Sequence, residues 1–173
     1  MENKMFCFQC EQTAGCSGCT GKVGVCGKNA DVAALQDKLT GELIGLVRVT
    51  GDVVPTGNIL KLIIEGLFTT LTNVSFNEQT LNELIEKVRA ERERLVPQCF
   101  ACASPCGTNN EYDLSHIWTD NEDIRSLKSL ILFGIRGMAA YAYHAMVLGY
   151  TNDEVSHFFV KALFALGEDW EMD

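Results

Sequence analysis

Residues 122–148 read EDIRSLKSLILFGIRGMAAYAYHAMVL. No proline interrupts them, and from Leu127 to Val147 the only departures from apolar character are Lys128, Ser129, Arg136, His144 and the glycines. Length and composition predict one long helix, closed by Gly149, at the buried centre of an all-helical domain. A membrane span is the rival reading. It is set aside because two basic residues and a histidine interrupt the run and no second span follows.

Helical spacing continues on both sides of this stretch. Downstream, Val155, Phe158, Phe159, Ala162, Leu163 and Leu166 predict a last amphipathic helix, with Thr151 and Glu154 as its capping box. Upstream, Val32, Leu35, Leu39, Leu43, Leu46 and Val47 predict a helix from Ala30 to about Arg48, closed by Gly51 and Pro55. The next runs from about Gly57 to Leu71 with a wide apolar face, which implies burial between neighbours. A third opens at Ser75 and Glu78, again spaced as a capping box, and carries Leu81, Leu84, Ile85, Val88 and Leu95. Its charged side, from Glu83 to Arg94, reads as a solvated face laced with pairs at helical spacing.

Valine-rich residues 47–54 are too short and too broken by glycine to make a strand. The fold class is therefore all-α, a bundle of about five helices with an N-terminal Cys/Gly-rich loop. Residues 1–29 form that loop, residues 30–173 the bundle, and residues 97–121 a long cysteine-bearing loop within it, all in one domain. Gly41 with Gly45, and Gly134 with Gly137, are expected to let helices approach closely.

Composition bounds the function. At 47% hydrophobic and 21% charged residues, the chain is ordinary for a soluble globular protein. A net charge of −9 argues against unaided binding to nucleic acid or anionic lipid, both polyanions. The N-terminus has neither the apolar core nor the small-residue cleavage site of a secretion signal, so a cytoplasmic location is expected.

The chemistry is concentrated in residues 7–26, CFQCEQTAGCSGCTGKVGVC, which hold five of the eight cysteines. In a reducing cytosol such density points to a metal or redox site rather than a disulfide framework. Cys7 and Cys10 can present two sulfurs on one turn. Zinc sites favour two such close pairs, which Cys16 and Cys19 would complete with Cys26 left over. Iron–sulfur clusters accept the irregular spacing Cys7, Cys10, Cys19, Cys26, because a larger object is being reached. Glycine N–H groups, with Lys22 and Lys28, can offset thiolate charge. Spacing favours a cluster over zinc without deciding it.

The residues also carry a resemblance. MFCFQCEQTAG at 5–15 and GCTGKVGVCGK at 18–28 resemble the N-terminal signature of the hybrid cluster proteins, also called prismane proteins or hydroxylamine reductases. LQD at 35–37, LFTTLTNVSF at 67–76, and GMAAYA at 137–142 with His144 and LGY at 148–150 follow in the family's order. The resemblance implies a 4Fe-4S cluster, or 2Fe-2S as in some relatives, on Cys7, Cys10, Cys19 and Cys26. Cys19 is the third ligand because the family's third cysteine stands in a Gly-Cys-Thr context.

The same resemblance implies a separate catalytic hybrid Fe-S-O cluster in domains that this sequence lacks. This chain would then be an electron-transfer domain. It would take electrons from a redox partner protein and pass them to those remaining domains, where hydroxylamine is reduced to ammonia or nitric oxide to nitrous oxide. On its own it would not be catalytically competent, and neither nucleic acid nor membrane is an expected partner. A non-catalytic zinc-binding or scaffold module is the alternative.

Cys99, Cys102 and Cys106 have metal-ligand spacing but number three. With Cys16 they would make a second set of four, whereas the plainer reading is that they are free or partly oxidised thiols. His144 on its apolar helix is expected to be a hydrogen-bonded structural residue. His116 and His157 are expected at the surface, and Met138, Met146, Tyr141 and Tyr143 in the core.

Overall fold

The structure is a computed structural model and describes residues 4–10, 18–51, 57–72, 74–95 and 111–171. Among these residues the fold is all-α. Six helices follow one another: α1 Ala30–Thr50, α2 Asn58–Thr69, α3 Glu78–Leu95, α4 Ser115–Thr119, α5 Glu122–Val147 and α6 Asp153–Leu166. Five are the helices expected from apolar spacing. The sixth, α4, is a single turn inside the segment read as loop, where Ile117 and Trp118 are buried.

Asparagine opens four of the helices. The side chains of Asn29, Asn121 and Asn152 accept from the backbone N–H of Val32, Asp123 and Val155, and Asn77 accepts from Thr80 at the start of α3. The expected capping residues Ser75 and Thr151 are thus displaced by Asn77 and Asn152. Asparagine competes as well as serine or threonine for the orphan N–H groups of a first turn, and here it lies closer to that turn.

The central helix is α1 rather than α5. Leu39, Leu43, Ile44, Leu46 and Val47 are fully enclosed, because α1 packs against α3, α6 and α2 at once. Gly41 admits the carbonyl of Tyr112, since an added Cβ there would meet that oxygen at 2.1 Å. The close approach is therefore to a loop rather than to a helix. Gly134 and Gly137 face open space instead.

α5 packs on α2, α6 and α4 through one face, which buries Ile124, Leu132, Ile135 and Ala139 together with Lys128 and Arg136. Each buried cation meets specific oxygens, although Nη1 of Arg136 has no hydrogen-bond partner among the described residues. Lys128 donates to the carbonyl of Glu168 at 2.9 Å, and Arg136 donates to the hydroxyls of Thr40 at 2.9 Å and Thr70 at 3.1 Å. The opposite face is left apolar and exposed. Leu130 is 70% and Tyr141 83% exposed, with Leu127 and Met138 along the same side, and Val147 and Leu148 are exposed at the C-terminal end. Tyr141 and Met138 are therefore not core, whereas Tyr143 stacks on Phe68 at 4.8 Å. His144 is exposed and meets Phe68 edge-on, and His116 and His157 are at the surface as expected. Among the described residues, α5 alone is long and apolar enough to cross a membrane, by length and composition.

The charged run of α3 is only partly solvated. Arg92 and Arg89 turn inward to Glu42 of α1, at 2.6 and 2.8 Å, and the Glu42 side chain is fully buried. Helical period alone places Arg89 and Arg92 beside their exposed neighbours. A buried acid on the facing helix draws them in.

Candidate metal centre

Residues 4–10 and 18–29 fold as two short arms held side by side against the start of α1. Cys7 and Cys19 exchange both backbone hydrogen bonds, N–H of Cys7 to the Cys19 carbonyl at 3.1 Å and the reverse at 2.8 Å. A turn at 24–28 is closed by the Gly24 N–H donating to the Lys28 carbonyl at 2.8 Å. Gly18 makes the pairing of the arms feasible. Its φ is +75°, and a side chain there would press on the Cys7 carbonyl and the Phe6 ring, each 3.1 Å from an added Cβ.

This arrangement brings Cys7, Cys10, Cys19 and Cys26 to the lining of one cleft, together with Gln9, Gly24, Val25, Lys28 and Thr72. None of the four is in a disulfide. Among the described residues no three Cys, His, Asp or Glu side chains converge closely enough to hold a single metal ion. All four cysteines line the cleft, and a donor set of four cysteines fits an iron–sulfur cluster. Cys16, Cys99, Cys102 and Cys106 lie outside the described residues.

Beneath the thiols lies a buried polar network. The Lys28 ammonium lies 3.8 Å from the Cys7 sulfur and donates to the side-chain oxygens of Gln9, at 3.2 Å, and Gln36. Gln9 in turn donates to the Asp37 carboxylate and to the Ala33 carbonyl at 3.5 Å, and Gln36 donates to the Ser75 carbonyl at 2.8 Å. Lys22, the other cation of the loop, is exposed. Residue spacing could not place Gln9, Gln36 and Asp37 under the cleft, because three separate segments must meet to do so. The only sign was that Gln36 and Asp37 belong to the second family-like motif.

Burial dominates the electrostatics. It pushes the Cys7 thiol up, with Lys28 pulling the other way. Burial also raises Asp37 from 3.8 to about 6, against the opposing pull of Arg136, the Gln9 hydrogen bond and Lys28. The folded chain therefore keeps a proton on Asp37 across the window from about pH 4 to 6, where the unfolded chain gives it up. The resulting stabilisation is complete below that window and is lost as pH rises through it, by on the order of 3 kcal/mol. Urea unfolding of the metal-free chain between pH 4 and 7 is expected to show this fall, and Asp37→Asn to remove it. Identical pH profiles for the two proteins would contradict the assignment.

The profile of the Prismane/CO dehydrogenase family matches residues 5–172. The chain is 37% identical over 187 aligned residues to the hydroxylamine reductase of Clostridium perfringens, covering 95% of this chain and 34% of that enzyme. It is 38% identical to the hydroxylamine reductase of Methanocaldococcus jannaschii, covering 98% of this chain and 34% of the relative. The chain spans about a third of the length of the curated relatives it matches. With its cysteine cleft and nearly its whole length matched, the chain belongs to the Prismane/CO dehydrogenase family.

Proposed function

We propose that this chain is the electron-accepting iron–sulfur domain of a hydroxylamine-reductase-type oxidoreductase, working in the cytoplasm. Cys7, Cys10, Cys19 and Cys26 hold a 4Fe-4S cluster, or a 2Fe-2S cluster on the same thiols. The observation that carries the proposal is the convergence of these four cysteines on one cleft. When bound, the cluster supplies reversible one-electron chemistry.

The chain's own residues hold that chemistry in place. The paired arms at Cys7 and Cys19 fix the distance between two of the thiols. The network from Lys28 through Gln9 and Gln36 ties those arms to α1, so little rearrangement is needed when charge changes. Cys10, Cys19 and Cys26 are partly exposed, which leaves the cleft within reach of a redox partner protein.

Electrons are then passed to a hybrid Fe-S-O cluster held by polypeptide equivalent to the two-thirds of the relatives that this chain does not match. There hydroxylamine is reduced to ammonia, or nitric oxide to nitrous oxide. The exposed apolar stripe of α5, from Leu127 through Leu130, Met138 and Tyr141 to Leu148, supports contact with such a polypeptide. Apolar surface this extended marks an interaction site. Loaded with iron and sulfide, the 173-residue chain is expected to take up and return one electron from a reduced viologen and to leave hydroxylamine unchanged. Catalytic consumption of hydroxylamine by this chain alone would contradict the division of labour.

A further inference from the structure

We propose that Lys28 is the buried counter-ion of the centre held by Cys7, Cys10, Cys19 and Cys26, and that its charge raises the centre's reduction potential. The proposal rests on the cluster reading above. It adds a residue that touches the site without ligating it, and a property that residue sets.

The first ground is burial. Lys28 is 2% exposed, and lysine is almost never enclosed to this degree without a compensating charge. Among the described residues its ammonium makes no ion pair with a carboxylate. Its contacts are two neutral amide oxygens and the Cys7 sulfur. The Cys7 sulfur is the one group in direct contact with the ammonium that can carry negative charge, and the Asp37 carboxylate acts from farther off, across Gln9.

The second ground is that the ammonium is aimed. Gln9 and Gln36 are themselves buried, and each spends its own N–H donors on fixed acceptors, the Asp37 carboxylate with the Ala33 carbonyl and the Ser75 carbonyl. Their side-chain oxygens are thereby turned towards Lys28 and hold it at the thiol. The Phe76 ring, centred 6.0 Å from Nζ, lies beside the same charge. A purely structural lysine needs no such two-sided clamp directed at a sulfur.

The consequence is electrostatic. A cluster bound by four thiolates is anionic, and it gains one further negative charge when one electron enters from an external reductant such as dithionite. No bond breaks in that step: the cluster gains the one electron that the reductant loses. A fixed positive charge in a low-dielectric site favours the more negative state. Lys22, on the same loop but in water, is screened and contributes little.

The test is a redox titration of the iron- and sulfide-loaded chain with dithionite and mediators, followed by visible absorption. Lys28→Met and Lys28→Gln are expected to lower the reduction equilibrium constant at least tenfold, a shift of about 59 mV to more negative potential for a one-electron couple. Lys28→Arg is expected to retain most of the wild-type value, and Lys22→Met all of it. An unchanged midpoint in Lys28→Gln, or an equal shift in Lys22→Met, would overturn the proposal.

Should Lys28→Met and Lys28→Gln fold by circular dichroism yet take up no iron, loading of Lys28→Arg supports a requirement for charge. Failure of Lys28→Arg as well would reduce the residue to a matter of shape and overturn its role. A wild-type chain that forms no chromophore would bring down the cluster reading itself. That outcome is distinct from a fully coloured Lys28→Gln protein with an unshifted potential.

Discussion

Cys19→Ala is expected to abolish cluster incorporation, lowering bound iron from about four per chain to a trace, whereas Cys16→Ala leaves it intact. The pair is the sharpest test of which cysteine serves as third ligand. Cys19 is tied to Cys7 by two backbone hydrogen bonds and lines the same cleft as Cys7, Cys10 and Cys26. Removing its sulfur deprives that cleft of one of its four thiols, with no other thiol among the described residues to replace it. Iron and acid-labile sulfide analysis of the two variants after anaerobic loading decides the matter. Loss in Cys16→Ala with retention in Cys19→Ala would reassign the site.

The largest effect on folding is expected from Glu42→Ala. Glu42 projects from the central helix into the α1–α3 contact, its side chain fully buried, and binds the guanidinium groups of both Arg89 and Arg92. Taking away the carboxylate leaves positive charge enclosed beside α1, and removing one member of such a buried pair costs about 3–5 kcal/mol. For a chain of this size that is a fall of roughly 10 °C in Tm. Glu42→Gln keeps an acceptor for one guanidinium and should lose less. Urea unfolding of the metal-free proteins, with the midpoint moving at constant m-value, checks both. A loss below about 1 kcal/mol for Glu42→Ala would show that the buried pairs merely balance their own desolvation.

How much of this was legible in the sequence varies with the physical scale. The five long helices were, because apolar residues at helical spacing follow from packing on one side of a cylinder. The orientation of α5 was not. Apolar residues surround it, so hydropathy cannot say which face is inside. Lys128 and Arg136 settle that by finding partners in Glu168, Thr40 and Thr70, which are 40, 96 and 66 residues away in the chain. A polar residue on an apolar helix was a better guide to the buried face than its leucines, which runs against the usual expectation.

The site divides in the same way. Cysteine spacing and the family-like motifs pointed to Cys7, Cys10, Cys19 and Cys26 before any geometry, and the fold brings those four to one cleft. Lys28 and Lys22 looked equivalent in sequence, both on the glycine-rich loop. Only the meeting of Gln9, Gln36 and Asp37 beneath the loop separates a buried, clamped ammonium from a solvated one. Such networks depend on contacts between segments, which local pattern does not encode.

The central claim is that this chain carries an iron–sulfur centre on its N-terminal cysteines. The most direct measurement is metal and sulfide content, taken with a visible spectrum, on wild-type protein purified without oxygen. The account predicts a brown protein with iron and acid-labile sulfide in equal amounts, about four of each per chain for a 4Fe-4S centre. A colourless protein holding zinc and no sulfide would contradict it.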